Sequence, residues 1–401
     1  MINILDNLLL KEKWFGFLSF LLEKRDYKEK EIDLVKDIIK NKKFLLFTNQ
    51  YLFNLICETE LAVIKVPKFD SGEKRTIFVA TEMLDIILKF ISYCLREYDF
   101  FFVDNVCSYR SFNGIKKAIN KAVEFKHKYK SILKLDIHSY FLSMNKKILL
   151  NQISQLFKGD SSFVFFNSML LNMKNSRGIE SGGLPGLSIS CFYANVYLSK
   201  LDFYLLYNKI DFLRYSDDLI IFYDEETQSD IVKNVFNIIS ELGLLINDKK
   251  TLKQSSNDDI EFLGFSLNKD NIDISQSSFA KIKRKMKRLS KKVKRQISQG
   301  KVSKEIGLKI FIERFNKKFF SSSSNELSWA LWYFPVITTT KTLKKIDHYF
   351  QEEVRSIYTM KYCKLNKKKV PYHFLKGNGY RTLVYEYYSN LSIKKRLNLI
   401  H

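Results

Sequence analysis

The sequence predicts an α+β fold, in which an antiparallel sheet and groups of helices occupy separate stretches of the chain. Residues 213–223 contain two short runs of β-branched, aromatic and aliphatic residues on either side of a Ser-Asp-Asp step, which predicts a two-stranded hairpin. Residues 1–60 and 325–401 carry helical apolar spacing instead, for example at Ile32 and Val35. Strands in the middle and helices at both ends favour the α+β class.

The predicted hairpin tip carries two adjacent carboxylates, Asp217 and Asp218. An isolated Asp-Asp pair is most often an ordinary acidic turn. Here a third carboxylate, Asp136, ends an apolar stretch upstream, and Tyr140 and Phe141 follow it. Carboxylate oxygens are the protein ligands that Mg²⁺ prefers, and it takes only one or two of them per ion. These residues therefore predict a magnesium site. The five histidines are scattered and give no competing cluster.

Further segments accompany these carboxylates in a fixed order along the chain. They occupy residues 66–77, 108–112, 134–142, 181–190, 213–223, 247–251 and 261–265. In this order they resemble the fingers and palm motifs of reverse transcriptases, with Tyr-Ser-Asp-Asp as a variant of the Tyr-x-Asp-Asp box. The resemblance extends over about residues 60–300 and implies a right-hand polymerase with fingers, an antiparallel palm and a helical thumb.

The resemblance implies four parts of the chain. We expect an N-terminal helical extension at residues 1–60, fingers at residues 61–130, a palm with an inserted fingers portion at residues 131–277, and a helical thumb and C-terminal region at residues 278–401. A chain of this length exceeds one comfortable hydrophobic core, which is consistent with several subdomains.

The activity implied is RNA-directed DNA synthesis from deoxynucleoside triphosphates, with an RNA template and a DNA product as partners. Two Mg²⁺ ions, or Mn²⁺ as a substitute, would activate the 3′-hydroxyl and neutralise the leaving oxygens. Asp136, Asp217 and Asp218 are the expected catalytic residues and metal ligands. Asp136 and Asp217 are expected to bridge both ions, and Asp218 to have a peripheral share.

Several residues are expected to bind the incoming nucleotide. Lys68 and Arg75 flank a turn and would contact the triphosphate, although solvated surface charges are the alternative. Phe141 would lie beneath the sugar and exclude a 2′-hydroxyl, with Tyr140 pointing into the core, unless both rings are simply core. Lys250 is a candidate proton donor to pyrophosphate, or a surface lysine.

The segment that resembles the second palm motif departs from the family pattern. The family usually has a residue between Pro and Gly, whereas here Pro185 is followed directly by Gly186. Either this loop is one residue shorter, or its register is shifted to use Gly182 and Gly183. Gly183, Pro185 and Gly186 are expected to lie at the nucleotide.

The net charge of +24 and the pI of about 9.5 favour a nucleic-acid partner. Residues 281–295 contain ten basic residues and no acidic one, with apolar residues at helical intervals. We predict a thumb helix that contacts the template–primer backbone; a nuclear-localisation or membrane-surface helix is the alternative. The expected nucleic-acid-binding residues are Arg110, Lys283, Arg284, Lys287, Arg288 and Lys291.

The chain resembles bacterial reverse transcriptases of the retron and group II intron-like superfamily, and most closely the stand-alone enzymes of antiphage defence and abortive infection. That resemblance implies a cytoplasmic bacterial protein that copies a dedicated non-coding RNA, as a possible homo-oligomer or with a partner protein. Five dispersed cysteines fit a reducing compartment, and no stretch reaches the roughly 18 apolar residues of a membrane span. The alternatives are template-independent or protein-primed synthesis on one of the 22 tyrosines, and a catalytically silent RNA-binding protein.

Overall fold

The computed structural model describes residues 3–23, 29–67, 74–110, 114–224, 230–248, 250–268, 271–320 and 328–398. The predicted turn residue Lys68 lies outside these ranges. The chain divides into two compact units, residues 1–258 and 259–401. Among the helices in the described ranges, none is both long and apolar enough to cross a bilayer.

The first unit begins with a helical region, as the apolar spacing predicts. Its helices are α1 (Lys11–Glu23), α2 (Glu29–Lys40) and α3 (Asn49–Glu58), with 3₁₀ helices at Leu5–Leu9 and Lys43–Leu46. A hairpin of β1 (Ala62–Pro67) and β2 (Lys74–Val79) follows. Next come α4 (Glu82–Cys94), a 3₁₀ helix at Leu95–Phe101 and α5 (Ile115–Lys128). The ring of Trp14 stacks on that of Phe90 at 4.1 Å, so the first helix packs on α4 in one buried core.

The remaining described elements of this unit are four strands and six helices. They are β3 (Ser131–Leu135), α6 (Tyr140–Ser143), α7 (Lys146–Leu156), α8 (Ser161–Leu171), α9 (Ser190–Tyr197), α10 (Ser199–Tyr207), β4 (Asp211–Tyr215), β5 (Asp218–Tyr223), α11 (Ile231–Glu241) and β6 (Leu252–Ser255). The four strands form an antiparallel sheet in the order β4-β5-β3-β6. The predicted hairpin at residues 213–223 is confirmed as β4 and β5. The mixed helical and antiparallel architecture confirms the predicted α+β class.

The second unit combines a small sheet with long helices. Its elements are β7 (Ile260–Phe262), β8 (Phe265–Leu267), β9 (Ile272–Ile274), α12 (Gln276–Ser298), α13 (Lys304–Phe320), α14 (Trp329–Tyr333), α15 (Lys341–Thr359), α16 (Asn366–Lys369), α17 (Tyr372–Gly377) and α18 (Leu383–Asn398). The unit starts at residue 259, before the thumb boundary expected at 278, because the three-stranded sheet belongs to it. The four-part division into extension, fingers, palm and thumb stays a prediction.

Candidate active site

The Ser-Asp-Asp step forms a two-residue turn between β4 and β5. Tyr215 pairs with Asp218 across the ladder, which leaves Ser216 and Asp217 as the two loop residues. The φ angle of Ser216 is 60°, in the left-handed region that glycine favours. A positive φ at the first loop position is the pattern of a type II′ turn, whose twist matches that of the flanking strands. The turn therefore presents Asp217 at its tip.

Asp136 reaches the same edge of the sheet through the neighbouring strand. Leu135, the last residue of β3, pairs with Leu219 of β5. Because β3 and β5 are antiparallel, the residue after Leu135 lies at the level of Asp218. The predicted carboxylates Asp136, Asp217 and Asp218 are thus brought to one sheet edge by two separate segments of the chain.

The electrostatics of this edge favour a cation. The pKa of Asp218 is raised to about 6, first by burial and then by the charge of Asp217; Asp136 acts in the same direction, and Lys134 and Lys250 act against it. Burial also raises the pKa of Asp217, and the charge of Asp136 acts in the same direction. Like charges that are partly removed from water disfavour one another's ionisation, and a bound cation relieves that repulsion.

Asp136 has partners of its own in the segment that follows α11. The side-chain amide of Asn247 donates to Asp136 Oδ2 at 2.9 Å, and the Asn247 backbone N–H donates to the Asp136 carbonyl at 2.8 Å. Lys250 Nζ lies 3.3 Å from Asp136 Oδ2. The predicted Lys250 therefore does lie at the carboxylates, with its side chain largely exposed.

The donor chemistry of the edge fits Mg²⁺, since every candidate ligand is a carboxylate oxygen. Within the described ranges, no three His, Cys, Asp or Glu side chains already form a metal-binding cluster. The carboxylate of Asp136 is instead paired with Lys250 and Asn247. Repulsion among the three carboxylates favours that pairing.

The two aromatic residues after Asp136 have different surroundings. Tyr140 is buried, and its hydroxyl donates to the carbonyl of Ala194 at 2.7 Å. Phe141 is only half-buried. The prediction that Tyr140 points into the core is confirmed, and Phe141 is the ring left at the edge of that core. Its role as a sugar gate stays a prediction.

The glycine-rich loop after Ser181 is closely packed on both sides. A Cβ on Gly183 would lie 2.5 Å from the Phe141 carbonyl oxygen, and the Gly183 N–H donates to that oxygen at 2.9 Å. A Cβ on Gly182 would lie 2.2 Å from the Met144 carbonyl oxygen. Both glycines are therefore needed where the loop meets the segment that carries Phe141.

The other end of this loop contacts the β1–β2 hairpin. The Phe78 N–H donates to the Pro185 carbonyl at 2.7 Å. Gly186 has a φ of 110°, and a Cβ there would lie 2.3 Å from Ile77 Cγ2. Pro185 and Gly186 thus contact β2 directly. Gly182 and Gly183 contact the segment that carries Phe141 and Met144, at the other end of the loop.

Arg75 of β2 is exposed, and its charge lowers the pKa of Asp217, so the guanidinium acts on the carboxylate edge. Arg110 differs from the prediction of a nucleic-acid contact. Its guanidinium is turned inward and donates to the backbone carbonyls of Val103 at 2.7 Å and Asp99 at 2.9 Å. Each of these carbonyls also accepts a backbone N–H, from Val106 and Phe102 respectively, so the arginine adds a second donor to each. We therefore assign Arg110 a structural role in its loop.

The predicted basic helix is confirmed as part of α12. Ile282, Met286 and Val293 are buried. The face that remains exposed includes Arg284, Lys287, Arg288 and Lys291. Lys283 departs from the prediction, because it is half-buried and its ammonium lies 4.9 Å from the ring centroid of Tyr349 on α15. This cation–π contact holds the Lys283 ammonium against α15.

Residues beneath the turn were missed from the sequence. Arg214 is fully buried, and its guanidinium donates to both carboxylate oxygens of Asp202 on α10. Asn195 and Ser108 complete the polar group around it. The available signal was an arginine between apolar residues of a buried strand, since such a charge needs a partner.

Comparison with known proteins gives a family. Similar solved structures include telomerase from Candida tropicalis truncated from its C-terminal domain, with 16% identity over 54% of this chain and 55% of that chain and a TM-score of 0.43. Another is telomerase from Candida albicans in complex with a TWJ fragment of telomeric RNA, with 14% identity over 81% of this chain and 64% of that chain and a TM-score of 0.43. This chain thus covers less than two thirds of the length of either telomerase chain. A search of curated proteins found no match.

The profile described as reverse transcriptase (RNA-dependent DNA polymerase) matches residues 66–267, just over half of the chain. The matched range contains all three carboxylates, the glycine-rich loop and strand β2. The chain therefore belongs to the reverse transcriptase family of RNA-dependent DNA polymerases.

Proposed function

We propose that this chain synthesises DNA on an RNA template by metal-dependent nucleotidyl transfer at the carboxylate edge of β3, β4 and β5. The observation that carries the proposal is the convergence of Asp136, Asp217 and Asp218 on one sheet edge, within the range matched by the family profile. The raised pKa values of Asp217 and Asp218 support it, because burial and, to a smaller extent, neighbouring carboxylates raise them, and such shifts cluster at functional sites.

Asp136 and Asp217 would be the principal ligands of two Mg²⁺ ions, and Asp218 would have a smaller share. When bound, the ions activate the 3′-hydroxyl and neutralise charge on the leaving pyrophosphate. Lys250 would leave Asp136 for the pyrophosphate and donate a proton there. The exposure of its side chain supports this role, because Lys250 is free to change partner.

The incoming nucleotide would lie beside the contact between the β1–β2 hairpin and the glycine-rich loop. Arg75 and Lys68 would contact its triphosphate, and Phe141 would lie against its sugar. Gly183 fixes the backbone of Phe141 by a hydrogen bond, and Pro185 bonds to β2 on the opposite side. These contacts support a nucleotide pocket whose walls are joined through one loop.

The exposed basic face of α12 would contact the sugar-phosphate backbone of template and product. Arg284, Lys287, Arg288 and Lys291 share that face, and acidic residues are absent from α12. Contacts of this kind are independent of sequence, which suits an enzyme that moves along its template.

We further propose that the protein acts in the bacterial cytoplasm in antiphage defence and copies a dedicated non-coding RNA, alone, as a homo-oligomer or with a partner protein. The support is the resemblance of two C-terminal segments, residues 329–335 and 379–388, to stand-alone defence-associated reverse transcriptases. Phage plating on cells that express the wild type or Asp217→Ala tests this role. Equal plating on both strains would contradict it.

The polymerase activity is tested by incorporation of labelled deoxynucleotides on added RNA and by sequencing nucleic acid that co-purifies with the protein. We expect the wild type to make a DNA product whose sequence is complementary to the RNA. The variant Asp217→Asn should make no such product. Product unrelated to the RNA would indicate template-independent synthesis, and product bound covalently to protein would indicate tyrosine priming. RNA binding without incorporation by the wild type would indicate a silent binding protein.

A further inference from the structure

A buried ion pair lies directly beneath the turn that carries Asp217. Arg214 is fully buried and Asp202 nearly so, and the guanidinium donates to Oδ1 of Asp202 at 2.7 Å and to Oδ2 at 2.5 Å. Transfer of two charges out of water is costly, and an apolar pair of similar volume is often as stable. The stability of the fold alone is therefore a weak reason for this pair.

The remaining hydrogen bonds of the pair lead to the turn. Arg214 Nη1 donates to the carbonyl of Ser216 at 3.0 Å and to Asn195 Oδ1 at 3.4 Å. The Ser216 N–H donates to Ser108 Oγ at 2.8 Å, and that hydroxyl donates to Asn195 Oδ1 at 3.2 Å. Both backbone polar groups of Ser216 are thus bonded to one connected set of side chains.

Ser216 is the position where the turn needs such support. Its φ of 60° is disfavoured for a residue with a Cβ and persists only where the surroundings determine it. If the bonds to its N–H and carbonyl were lost, the turn would relax. Asp217 follows directly, so its carboxylate would lose its orientation.

We propose that Asp202, Arg214, Asn195 and Ser108 are positioning residues that fix the Ser216 turn and so set the metal affinity of Asp217. The inference rests on the proposed function, because it takes Asp217 as a metal ligand. Groups one layer behind the ligands of a metal typically contribute about 10- to 100-fold to its affinity.

The first test is Ser108→Ala, which removes the acceptor for the Ser216 N–H and leaves the ion pair in place. Mn²⁺ binding is measured from the loss of the free-ion EPR signal, with neither template nor nucleotide present. We expect an affinity about 10-fold weaker than that of the wild type. The matched control is Ser92→Ala, because the Ser92 hydroxyl donates to a backbone carbonyl within α4 at 2.7 Å. Ser92→Ala should bind Mn²⁺ as the wild type does.

The second test separates positioning from stability. In the double variant Arg214→Met with Asp202→Leu, an apolar pair replaces the buried ions, so thermal unfolding should remain near the wild-type temperature. Mn²⁺ affinity should nevertheless fall by about 10-fold or more. The Mg²⁺ concentration that gives half-maximal incorporation should rise in parallel. If the double variant does not fold, Ser108→Ala decides the question.

Wild-type Mn²⁺ affinity in folded Ser108→Ala, or in the folded double variant, would overturn the positioning role. The proposed function fails differently, namely if the wild type makes no product or if Asp217→Ala binds Mn²⁺ and incorporates nucleotides as the wild type does. The wild type and Asp217→Ala are therefore measured in the same two assays.

Discussion

The carboxylate edge of the first unit and the basic helix α12 of the second carry opposite charges in opposite physical settings. Asp217 and Asp218 are partly buried, and their pKa values are raised first by burial and also by the charge of Asp136. The basic residues of α12 are mostly exposed to solvent. Function at the carboxylate edge therefore depends on single side chains in fixed positions. Binding by the helix is instead a sum over many similar charges.

This difference predicts how each region responds to substitution. A partly buried group acts in a low-dielectric setting and has no substitute nearby. An exposed charge is screened by salt, and its neighbours continue to act when it is lost. Loss of function should be abrupt at the sheet edge and gradual on α12.

The largest expected effect is at the edge. Asp136→Ala or Asp217→Ala should reduce incorporation by about a thousandfold or more, because several kcal/mol of charge stabilisation in the transition state are lost. Primer-extension rates under saturating Mg²⁺ measure the loss. The control is Asp230→Asn, which removes an exposed carboxylate at the start of α11, past the far end of β5. Full activity in either alanine variant would refute the site.

The second prediction tests the helix. Changing Arg284, Lys287 and Lys291 to Gln should weaken template–primer binding for every sequence. The slope of log affinity against log salt is negative, and each lost phosphate contact should make it shallower by about 0.7–0.9. A salt titration of binding measures this slope.

The matched control for the helix changes the exposed Lys364, Lys367 and Lys368 to Gln, which alters the charge of the same unit equally. It should leave the slope near that of the wild type. Lys283→Gln should also change it little, because the Lys283 ammonium contacts the Tyr349 ring. Equal slopes for the α12 variant and the control would contradict a backbone contact.

The third prediction concerns the ring at the border of the core. Phe141→Ala should increase the use of ribonucleotides relative to deoxynucleotides by about 10- to 100-fold, because it makes room for the 2′-hydroxyl. The kcat/KM ratios for the two substrates give the measurement. Tyr140→Phe is the control, since it removes only the buried hydroxyl bonded to Ala194. If Tyr140→Ala relaxes sugar choice and Phe141→Ala does not, the assignment is shifted by one residue.

The smallest expected effect is a pH dependence at Asp218. Its pKa is raised to about 6, so the folded state binds this proton more tightly than the unfolded chain does. The resulting contribution to stability is fully present at pH values below the ordinary pKa of an aspartate and is lost as pH rises through about 6. Metal binding has the opposite sign, because the ionised form is the ligand. Mn²⁺ affinity should fall as pH decreases through about 6. The same titration of Asp218→Asn should be flatter over this range, and parallel curves would remove Asp218 from the site.

Local patterns in the sequence were sufficient for part of the site. Two short runs of β-branched, aromatic and aliphatic residues on either side of the Ser-Asp-Asp step predicted the hairpin. Its two strands are adjacent in the chain, so a local pattern was enough to predict their pairing. The inward position of Tyr140 followed from the same kind of argument, as one of two adjacent rings must face the core.

The remaining features depend on contacts between distant segments. Nothing local to Arg214 indicates that its partner is Asp202 on a preceding helix. The orientation of Lys283 is set by a ring on α15, and that of Arg110 by backbone carbonyls of its own loop. Side chains of one type were therefore predicted alike, although tertiary packing gives them different tasks.

The contact of Gly186 with β2 has a mechanical consequence. A Cβ at Gly186 would lie 2.3 Å from Ile77 Cγ2, and the Pro185 carbonyl accepts the Phe78 N–H. Gly186 and β2 are packed together without free space, so the strand and the loop should move as one body. If the hairpin were to move, the loop would therefore move with it, and a spectroscopic probe on either segment would record the movement of both.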